Sequence, residues 1–354
     1  MSILGDKMQQ TAGENSLQVQ GNTVNIGMSY ADVKDLCTTL IMSELASYEQ
    51  RANELARNRF DSIMDKLLEA LAQIDDKYRM RFQEPAIQFA ASETFKEYIR
   101  SGNDELSDDL IDLMIERIMV DEHTTKQALI DEARQILPKL SPTTIAVLAI
   151  LSFSKIILIR KKADFIEKLK SLSPILKDLG KPERMEIAYL EQVRCGQMLS
   201  FVNSFGDFID AMMKTYAPVF SHSITIDDFN KYAGEICTNV GDNTLFLSLI
   251  TLFETKGTSM SMNISVISED MFLAKKTELH NALNEMMNRL PKYTKEEVCN
   301  FFLGIDPNWQ NAIDLFNRKD IRSFIVSPVG YYIGTRKLTK ILGEEIPISL
   351  FYSD

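Results

Sequence analysis

The feature that most constrains this chain is the absence of proline and glycine between Tyr30 and Pro85. A run without helix breakers, rich in Ala, Leu, Glu and Met, predicts one very long helix over residues 29–84. Ser29 precedes the run, and Asp32 lies at the fourth position of a capping-box-like pattern that marks the start of the helix. At ~1.5 Å per residue the helix approaches ~80 Å, which is longer than a compact domain needs.

The second half of this predicted helix carries an apolar stripe. Its apolar residues follow in steps of four, four and three, an eleven-residue period close to the natural helical repeat. Such a stripe needs a partner of similar length, either later helices of the chain or its copy in another subunit. The stripe residues predicted to contact a second subunit are Phe60, Ile63, Leu67 and Leu71. The opposite face mixes acidic and basic residues and is interpreted as solvated.

A β-hairpin is predicted upstream of the helix. Two alternating runs flank Gly21-Asn22, a pair that suits a two-residue turn. The register places all the aliphatic residues on one face: Leu17, Val19, Val24 and Ile26. Because a lone hairpin is marginal in water, this face must cover either the rest of the chain or the same hairpin of other copies.

Shorter helices are predicted after Pro85, and we expect a mainly α protein. One of them starts at Ser327-Pro328 and ends near Gly343. The predicted organisation has four parts, which are a tail and β-hairpin at 1–28, the long helix at 29–84, a helical bundle at 85–260, and a small α+β or winged-helix-like unit at 261–354. The chain is 45% hydrophobic and 25% charged, values that predict a folded protein rather than a disordered one.

The apolar segment at 142–160 has two interpretations. Its length is close to the ~18–20 residues of a transmembrane helix, and its basic end would suit a cytoplasmic flank. Lys155 lies inside the segment, however, and a lysine in the middle of a membrane is costly. A buried core helix and a membrane-inserting helix both stay open, and the second would let several assembled copies line a pore.

Catalytic and metal-binding motifs are missing from the sequence. There is no phosphate-binding glycine loop, no nucleophile elbow and no HExxH zinc motif. The three histidines fall at helix junctions, loops or surface positions, and the four cysteines form no CxxC pair. We therefore expect no enzymatic activity, no cofactor and no metal. The start of the chain does not resemble a cleavable signal sequence, so we expect a reducing cytoplasm.

The formal net charge of −11 argues against general nucleic-acid binding, which needs a basic surface. Two local basic clusters remain as candidate contacts for an anion or a lipid, and a nucleotide or oligonucleotide ligand stays open. The clusters consist of Arg160, Lys161, Lys162, Arg336, Lys337 and Lys340. The alternative is that these cations are solvated and stabilise helix ends.

Three segments resemble a family of uncharacterised bacterial proteins, in which a Gly/Asn/Gln-rich strand element precedes a long helix. They are residues 13–33, residues 136–141 before the apolar helix, and residues 327–334. Lys155 departs from the family pattern, because it interrupts the apolar middle helix. Similar strand-plus-helix starts occur in bacterial proteins linked to phage defence. Some of those act as effectors, including oligomeric membrane channels gated by nucleotide or oligonucleotide signals.

Two functional hypotheses follow. The first is a non-enzymatic homo-oligomeric effector or scaffold in bacterial anti-phage defence, located in the cytoplasm. The second is an oligomeric pore or channel of the inner membrane that uses helix 142–160 and is gated by a nucleotide or oligonucleotide signal.

Overall fold

The computed structural model describes residues 29–45, 50–159, 165–199, 207–217, 219–262 and 278–352. This part of the chain is mainly helical with small antiparallel sheets, which confirms the predicted fold class. The chain divides into two compact units, Met1–Asp121 and Glu122–Asp354. The predicted hairpin of residues 17–26 lies outside the described residues.

The first unit is a helical bundle. Its elements are α1 (Tyr30–Leu45), α2 (Gln50–Ala72), α3 (Asp76–Arg79), a 3₁₀ turn at Met80–Gln83, α4 (Pro85–Ser101) and α5 (Asp104–Met119). The helix α2 packs against α4 and α5, and α1 packs against α2 and α4. The guanidinium of Arg79, next to the end of α2, lies over the ring of Tyr30 at the start of α1. The helices α1 and α2 therefore run in opposite directions.

The single helix predicted over residues 29–84 is wrong. The helix α2 ends before residues 73–75, which are not helical. No proline or glycine causes this break. Instead, Arg79 donates hydrogen bonds to the carbonyl oxygens of Leu71 and Ile74, at 3.1 and 3.0 Å. A helix leaves its last carbonyls without backbone partners, and here a side chain that follows the helix satisfies them.

The apolar stripe of α2 is buried inside this unit. Ile63, Leu67 and Leu71 have no exposed surface, and Phe60 is also buried. The ring of Phe60 stands edge-on to that of Phe95 on α4, with centroids 5.6 Å apart. Later helices of the chain thus cover the stripe. This corrects the prediction that these four α2 side chains contact a second subunit, because their apolar surface is already used within the unit.

Arginine side chains also donate hydrogen bonds to carbonyl oxygens at the ends of two other helices of the unit. Arg59 donates to the carbonyl oxygen of Ile99 at the end of α4, at 2.7 Å. Arg81 donates to the carbonyl oxygens of Ile118 and Val120 at the end of α5, at 2.6 and 2.5 Å. Arg59 belongs to the face of α2 that was predicted to be solvated. The structure shows that this residue holds two helices together instead.

The second unit has a helical body and an insert. Its elements in chain order are α6 (Thr125–Ile136), a 3₁₀ turn (Leu137–Lys139), α7 (Pro142–Ile159), α8 (Phe165–Ser171), α9 (Ser173–Leu179), α10 (Arg184–Gln192), β1 (Gly196–Met198), α11 (Phe208–Thr215), β2 (Ile224–Thr225), α12 (Ile226–Val240), α13 (Thr244–Thr251), β3 (Phe253–Lys256), β4 (Ser259–Met262), α14 (Glu278–Arg289), α15 (Lys295–Ile305), α16 (Trp309–Asn317), α17 (Lys319–Arg322), β5 (Phe324–Val326), α18 (Pro328–Leu342) and a 3₁₀ turn (Ile348–Phe351). The elements from β2 to α14 form the insert.

The contact between α7 and α18 forms the centre of the body. Gly334 of α18 lies against the carbonyl oxygen of Leu148, so closely that a β-carbon on the glycine would be 2.5 Å from it. Tyr331, one turn earlier in α18, lies beside Lys155. The two helices are therefore antiparallel, and the glycine lets their backbones approach closely.

The segment predicted at 142–160 is a buried core helix. The side chains from Ala146 to Leu151 are all buried, as are Phe153, Ile156 and Ile157. Because α18, α9 and neighbouring elements of the unit pack on α7, these side chains are not available to lipid, which corrects the membrane-inserting alternative. In the described part of the chain, no helix combines the length and the apolar character needed to cross a membrane.

Lys155 fits this buried environment through contacts with aromatic rings. Its ammonium lies 5.0 Å from the ring centroid of Tyr331 and 5.7 Å from that of Phe351. It also donates to the carbonyl oxygen of Phe351, at 3.4 Å. Burial lowers the pKa of this lysine. These contacts explain how one lysine interrupts an apolar helix without destroying its packing.

Residues 261–354 do not form the separate C-terminal unit that was predicted. The strand β5 pairs with β1, placing Gly196 opposite Val326, and α18 packs on α7. The segment after α14 is thereby built into the body. The end of β4 and α14, which also lie within residues 261–354, belong to the insert instead.

Candidate docking surface

The insert has a hydrophobic core of its own. The helices α12, α13 and α14 pack against one another and against a three-stranded sheet with the order β2-β4-β3. The side chains without exposed surface at the centre of this core include Phe229, Ile236, Leu249 and Met286. The insert thus holds its shape largely through its own apolar contacts.

Two helices and a β-hairpin give the insert a winged-helix-like topology. The helix α12 begins at the cap residue Thr225, whose hydroxyl accepts a hydrogen bond from the N–H of Asp228 at 3.0 Å. It ends at Gly241, which has a φ of 78°. The helix α13 follows after this tight turn, and then the hairpin β3–β4 turns at Gly257, which has a φ of 65°. In a DNA-binding helix-turn-helix, the second helix is the recognition helix.

The helix in the recognition position, α13, carries no charge at all. Its sequence is Thr-Leu-Phe-Leu-Ser-Leu-Ile-Thr. Residues 224–290 contain nine Asp or Glu and five Lys or Arg, a formal charge of −4. Binding to phosphates and reading of base edges both depend on cationic side chains, so α13 lacks the chemistry of a nucleic-acid reader. The topology resembles that of nucleic-acid-binding domains, whereas the side chains of α13 do not suit a nucleic acid. Function is inferred from the side chains of a site and not from the fold, so we assign no nucleic-acid contact to α13.

The helix α13 holds more apolar side chains than the core of the insert uses. Leu245 and Leu249 point inward and are buried. Leu247 is 68% exposed and Ile250 is 38% exposed. These two side chains are three residues apart and therefore share one side of the helix. We call Leu247 and Ile250 the apolar face of α13. Val240, at the end of the preceding helix, is exposed as well.

Two carboxylates precede and follow α13 in the sequence. Asp242 accepts hydrogen bonds from the hydroxyl and the N–H of Thr244, at 2.7 and 2.8 Å, and these bonds lower the pKa of its carboxyl group. On the strand after α13, Glu254 forms an ion pair with Lys256 at 2.8 Å, and this contact lowers the pKa of Glu254. Both carboxyl groups are therefore ionised at neutral pH, one of them paired with a cation.

Two chain segments attach the insert to the body. The N–H of His222 donates to the carbonyl oxygen of Pro291 at 2.8 Å, and the N–H of Tyr293 donates to the carbonyl oxygen of Phe220 at 3.0 Å. The rings of His222 and Tyr293 lie 4.6 Å apart, and His222 Nε2 is 3.4 Å from a carboxylate oxygen of Glu297. His222 thus has a structural place at the base of the insert.

The two predicted basic clusters differ in what the structure shows. On α18, Lys337 forms an ion pair with Asp178 at 3.5 Å, and the Arg336 guanidinium lies 5.8 Å from the ring centroid of Tyr332. Lys340 is exposed. These contacts stabilise the body and leave binding of an anion as a prediction.

The other cluster, Arg160, Lys161 and Lys162, lies outside the described residues. It follows Ile159 at one end of α7, whereas the antiparallel packing puts Lys337 beside the opposite half of that helix. Where the chain is described, no group of three or more His, Cys, Asp or Glu is arranged to hold a metal ion.

All four cysteines are free thiols, and three of them are buried. Burial raises the pKa of Cys37 and of Cys195 to about 12. Burial likewise raises the pKa of Cys237 and of the half-buried Cys299. The thiolate is the nucleophilic form of cysteine, so burial lowers the reactivity of these thiols.

The sequence did not single out Leu247 and Ile250. The sequence predicts only that the segment containing them is a helix of about residues 242–254. A usable signal exists, because residues 245, 246, 247, 249 and 250 surround the helix with apolar side chains, whereas a small unit covers only one side.

The fold and this surface define a mainly helical protein with a winged-helix-like insert whose recognition position is apolar. The model of an uncharacterised protein family matches residues 27–352, and the chain belongs to that family. No curated protein and no solved structure matches it.

Proposed function

We propose that this chain is a non-enzymatic effector or scaffold that works by binding another protein through the apolar face of α13. The observation that carries the proposal is Leu247, which is 68% exposed and lies beside Ile250 on an uncharged helix. Single exposed leucines are common on protein surfaces, but adjacent apolar side chains that the core does not need mark contact sites.

The structure around α13 supports this role. The buried side chains Leu245 and Leu249 anchor the helix, and hydrogen bonds between Phe220–His222 and Pro291–Tyr293 fix the base of the insert. A contact surface on a rigid element loses little conformational entropy when it binds, which favours affinity.

Self-association and a place in bacterial anti-phage defence remain predictions. The α2 stripe no longer supports self-association, since it is buried in one unit. The hairpin of residues 17–26 still does, through its amphipathic pattern. The link to defence comes from the resemblance of the N-terminal segment alone, and a nucleotide or oligonucleotide ligand is part of that prediction.

Site-specific photocrosslinking in the native host tests the proposal. A photoreactive residue replaces Leu247 in one variant of the full chain and Met185 in a second. Met185 is the matched control, because it is 72% exposed and lies on α10, outside the insert. We expect a discrete crosslinked product of defined mass from position 247 and none from position 185. Products that are absent at 247, or identical at both positions, would refute the proposal.

A substitution separates binding from folding. Leu247→Asp should prevent crosslinking from a photoreactive residue at position 250, because a carboxylate in an apolar contact is costly. The same change should alter the free energy of unfolding by no more than about 0.5 kcal/mol, since the side chain is mostly in water. Retained crosslinking in a folded Leu247→Asp variant would contradict the proposal.

A further inference from the structure

We infer that the partner of the apolar face of α13 is a basic amphipathic helix of another protein, and not a second copy of this chain. The inference rests on the proposed function and gives the chemistry of the ligand. Two properties of the insert carry it, the size of the apolar face and the sign of the charge around it.

The size of the face argues against a dimer formed by α13 alone. The helix has eight residues and is ~12 Å long. A stable protein interface buries about 800 Å² on each partner and uses about 20–30 residues a side. Two α13 helices packed together would fall well short of this area, so a dimer would have to include the surfaces next to α13.

The charge of the insert as a whole opposes self-association. Each copy would bring an insert with a formal charge of −4, in a chain with a net charge of −11. Asp242, at the start of α13, is held ionised by Thr244 and forms no ion pair with the described residues. Like charges across an interface are repulsive, whereas Lys or Arg on a partner would be attracted and would speed association.

A short amphipathic helix with basic flanks fits a small apolar face and carries the opposite charge. Apolar side chains spaced three or four residues apart match Leu247 and Ile250, which have the same spacing. Lys or Arg beside them would be attracted to the carboxylate of Asp242 at the start of α13. The remaining side chains on this part of α13, such as Thr244, Ser248 and Thr251, are small and uncharged, so another helix can approach closely.

Two synthetic helical peptides test the inference on the full chain. One is a 14-residue amphipathic peptide of Leu and Lys, and the other has Glu at every Lys position. Fluorescence anisotropy of the labelled peptides gives their affinities. We expect the Leu/Lys peptide to bind at least about tenfold more tightly than the Leu/Glu peptide, and increasing salt to weaken it.

Two variants show whether the peptide binds at α13. Leu247→Ser should weaken binding of the Leu/Lys peptide by about tenfold or more, because a central apolar contact is lost. Met185→Ser, the matched exposed control, should leave the affinity unchanged. Circular dichroism and the thermal midpoint confirm that both variants are folded. Equal binding by wild type and Leu247→Ser, or equal affinity for the two peptides, would overturn the inference.

The failure of this inference differs from failure of the proposed function. If the crosslink from position 247 joins two copies of this chain, and light scattering shows a dimer that Leu247→Ser abolishes, the docking surface stands and the basic partner is refuted. If position 247 gives no discrete crosslink, the docking surface itself is refuted, and the inference falls with it.

Discussion

A methyl group on Gly334 tests whether close backbone contact between α7 and α18 holds the second unit together. The β-carbon of Gly334→Ala would lie 2.5 Å from both the carbonyl oxygen of Leu148 and the hydroxyl oxygen of Ser152. Ordinary contacts of this kind begin at 3.4 Å, so the helices would have to separate by about 0.9 Å. The Leu148 carbonyl belongs to a helix backbone and has no freedom to rotate away.

The magnitude follows from two opposing effects. Adding a methyl group to a close-packed interior lowers the free energy of unfolding by about 1–3 kcal/mol. The cost here should be about 3 kcal/mol, because the added methyl group meets the backbone carbonyl of Leu148. Replacing glycine by alanine inside a helix gains about 1 kcal/mol of helix propensity. The free energy of unfolding should therefore fall by about 2 kcal/mol, which corresponds to a midpoint lower by about 4–8 °C for a unit of this size.

Urea unfolding followed by Trp309 fluorescence provides the assay. Trp309 is the only tryptophan of the chain and is buried on α16 in the same unit, so its emission changes when that unit unfolds. Gly304→Ala on α15 is the control, because a β-carbon there meets no atom within 4 Å. It should leave stability unchanged or raise it by up to about 1 kcal/mol. A Gly334→Ala variant as stable as the wild type would refute the importance of the close contact.

Two further substitutions test contacts that the sequence did not reveal. Arg59→Met removes the hydrogen bonds to the last carbonyls of α4 and should cost about 1–3 kcal/mol, seen as faster amide exchange at the end of that helix; unchanged exchange would contradict the role of Arg59. The second concerns Asp306. Burial would raise the pKa of Asp306, but the hydroxyl of Ser173 at 2.5 Å and the N–H of Asn308 at 2.8 Å donate to it and hold its pKa below the ordinary value. A carboxyl group whose pKa is lower in the folded state stabilises the protein above its unfolded pKa of about 4, and this contribution is lost as the pH falls through the folded value. Asp306→Asn should therefore destabilise the protein at pH 7, by an amount that shrinks below about pH 4. A difference that is the same at every pH would show that ionisation of Asp306 is irrelevant.

Helix ends that are formed by residues close together in the sequence could be predicted from the sequence. The helix α18 was predicted to start at Ser327-Pro328 and end near Gly343, and the structure agrees. The hydroxyl of Ser327 accepts a hydrogen bond from the N–H of Gly330 at 3.1 Å, and Gly343 has a φ of 67°. Such caps involve donors and backbone angles within one helical turn, so the residues on either side suffice to predict them.

Contacts between distant residues account for the errors. The predicted long helix is interrupted where Arg79, eight residues beyond Leu71, binds the carbonyl at the end of α2, and Arg59, predicted to be solvated, binds the carbonyl of Ile99, forty residues away. The first residues of β3, Phe253 and Glu254, lie in the segment 242–254 that is predicted from the sequence as a helix. Its pairing with β4 and the turn at Gly257 decide its conformation. Tertiary contacts override local propensity in each of these cases.

The helices α7 and α13 show why apolarity alone predicts neither core nor interface. Both are rich in aliphatic residues, and the longer one, α7, had suggested a membrane span. The body packs α18, α9 and other elements against α7 and buries its side chains from Ala146 to Leu151. The insert is too small to do the same, since a short chain segment buries a smaller fraction of its surface, and it covers α13 on the side of Leu249 only. Apolar residues on a helix therefore indicate a binding partner only when their side chains stay exposed after the helix has packed within its own fold. By that measure Leu247, and not the longer apolar helix α7, marks the surface at which we propose that another protein binds.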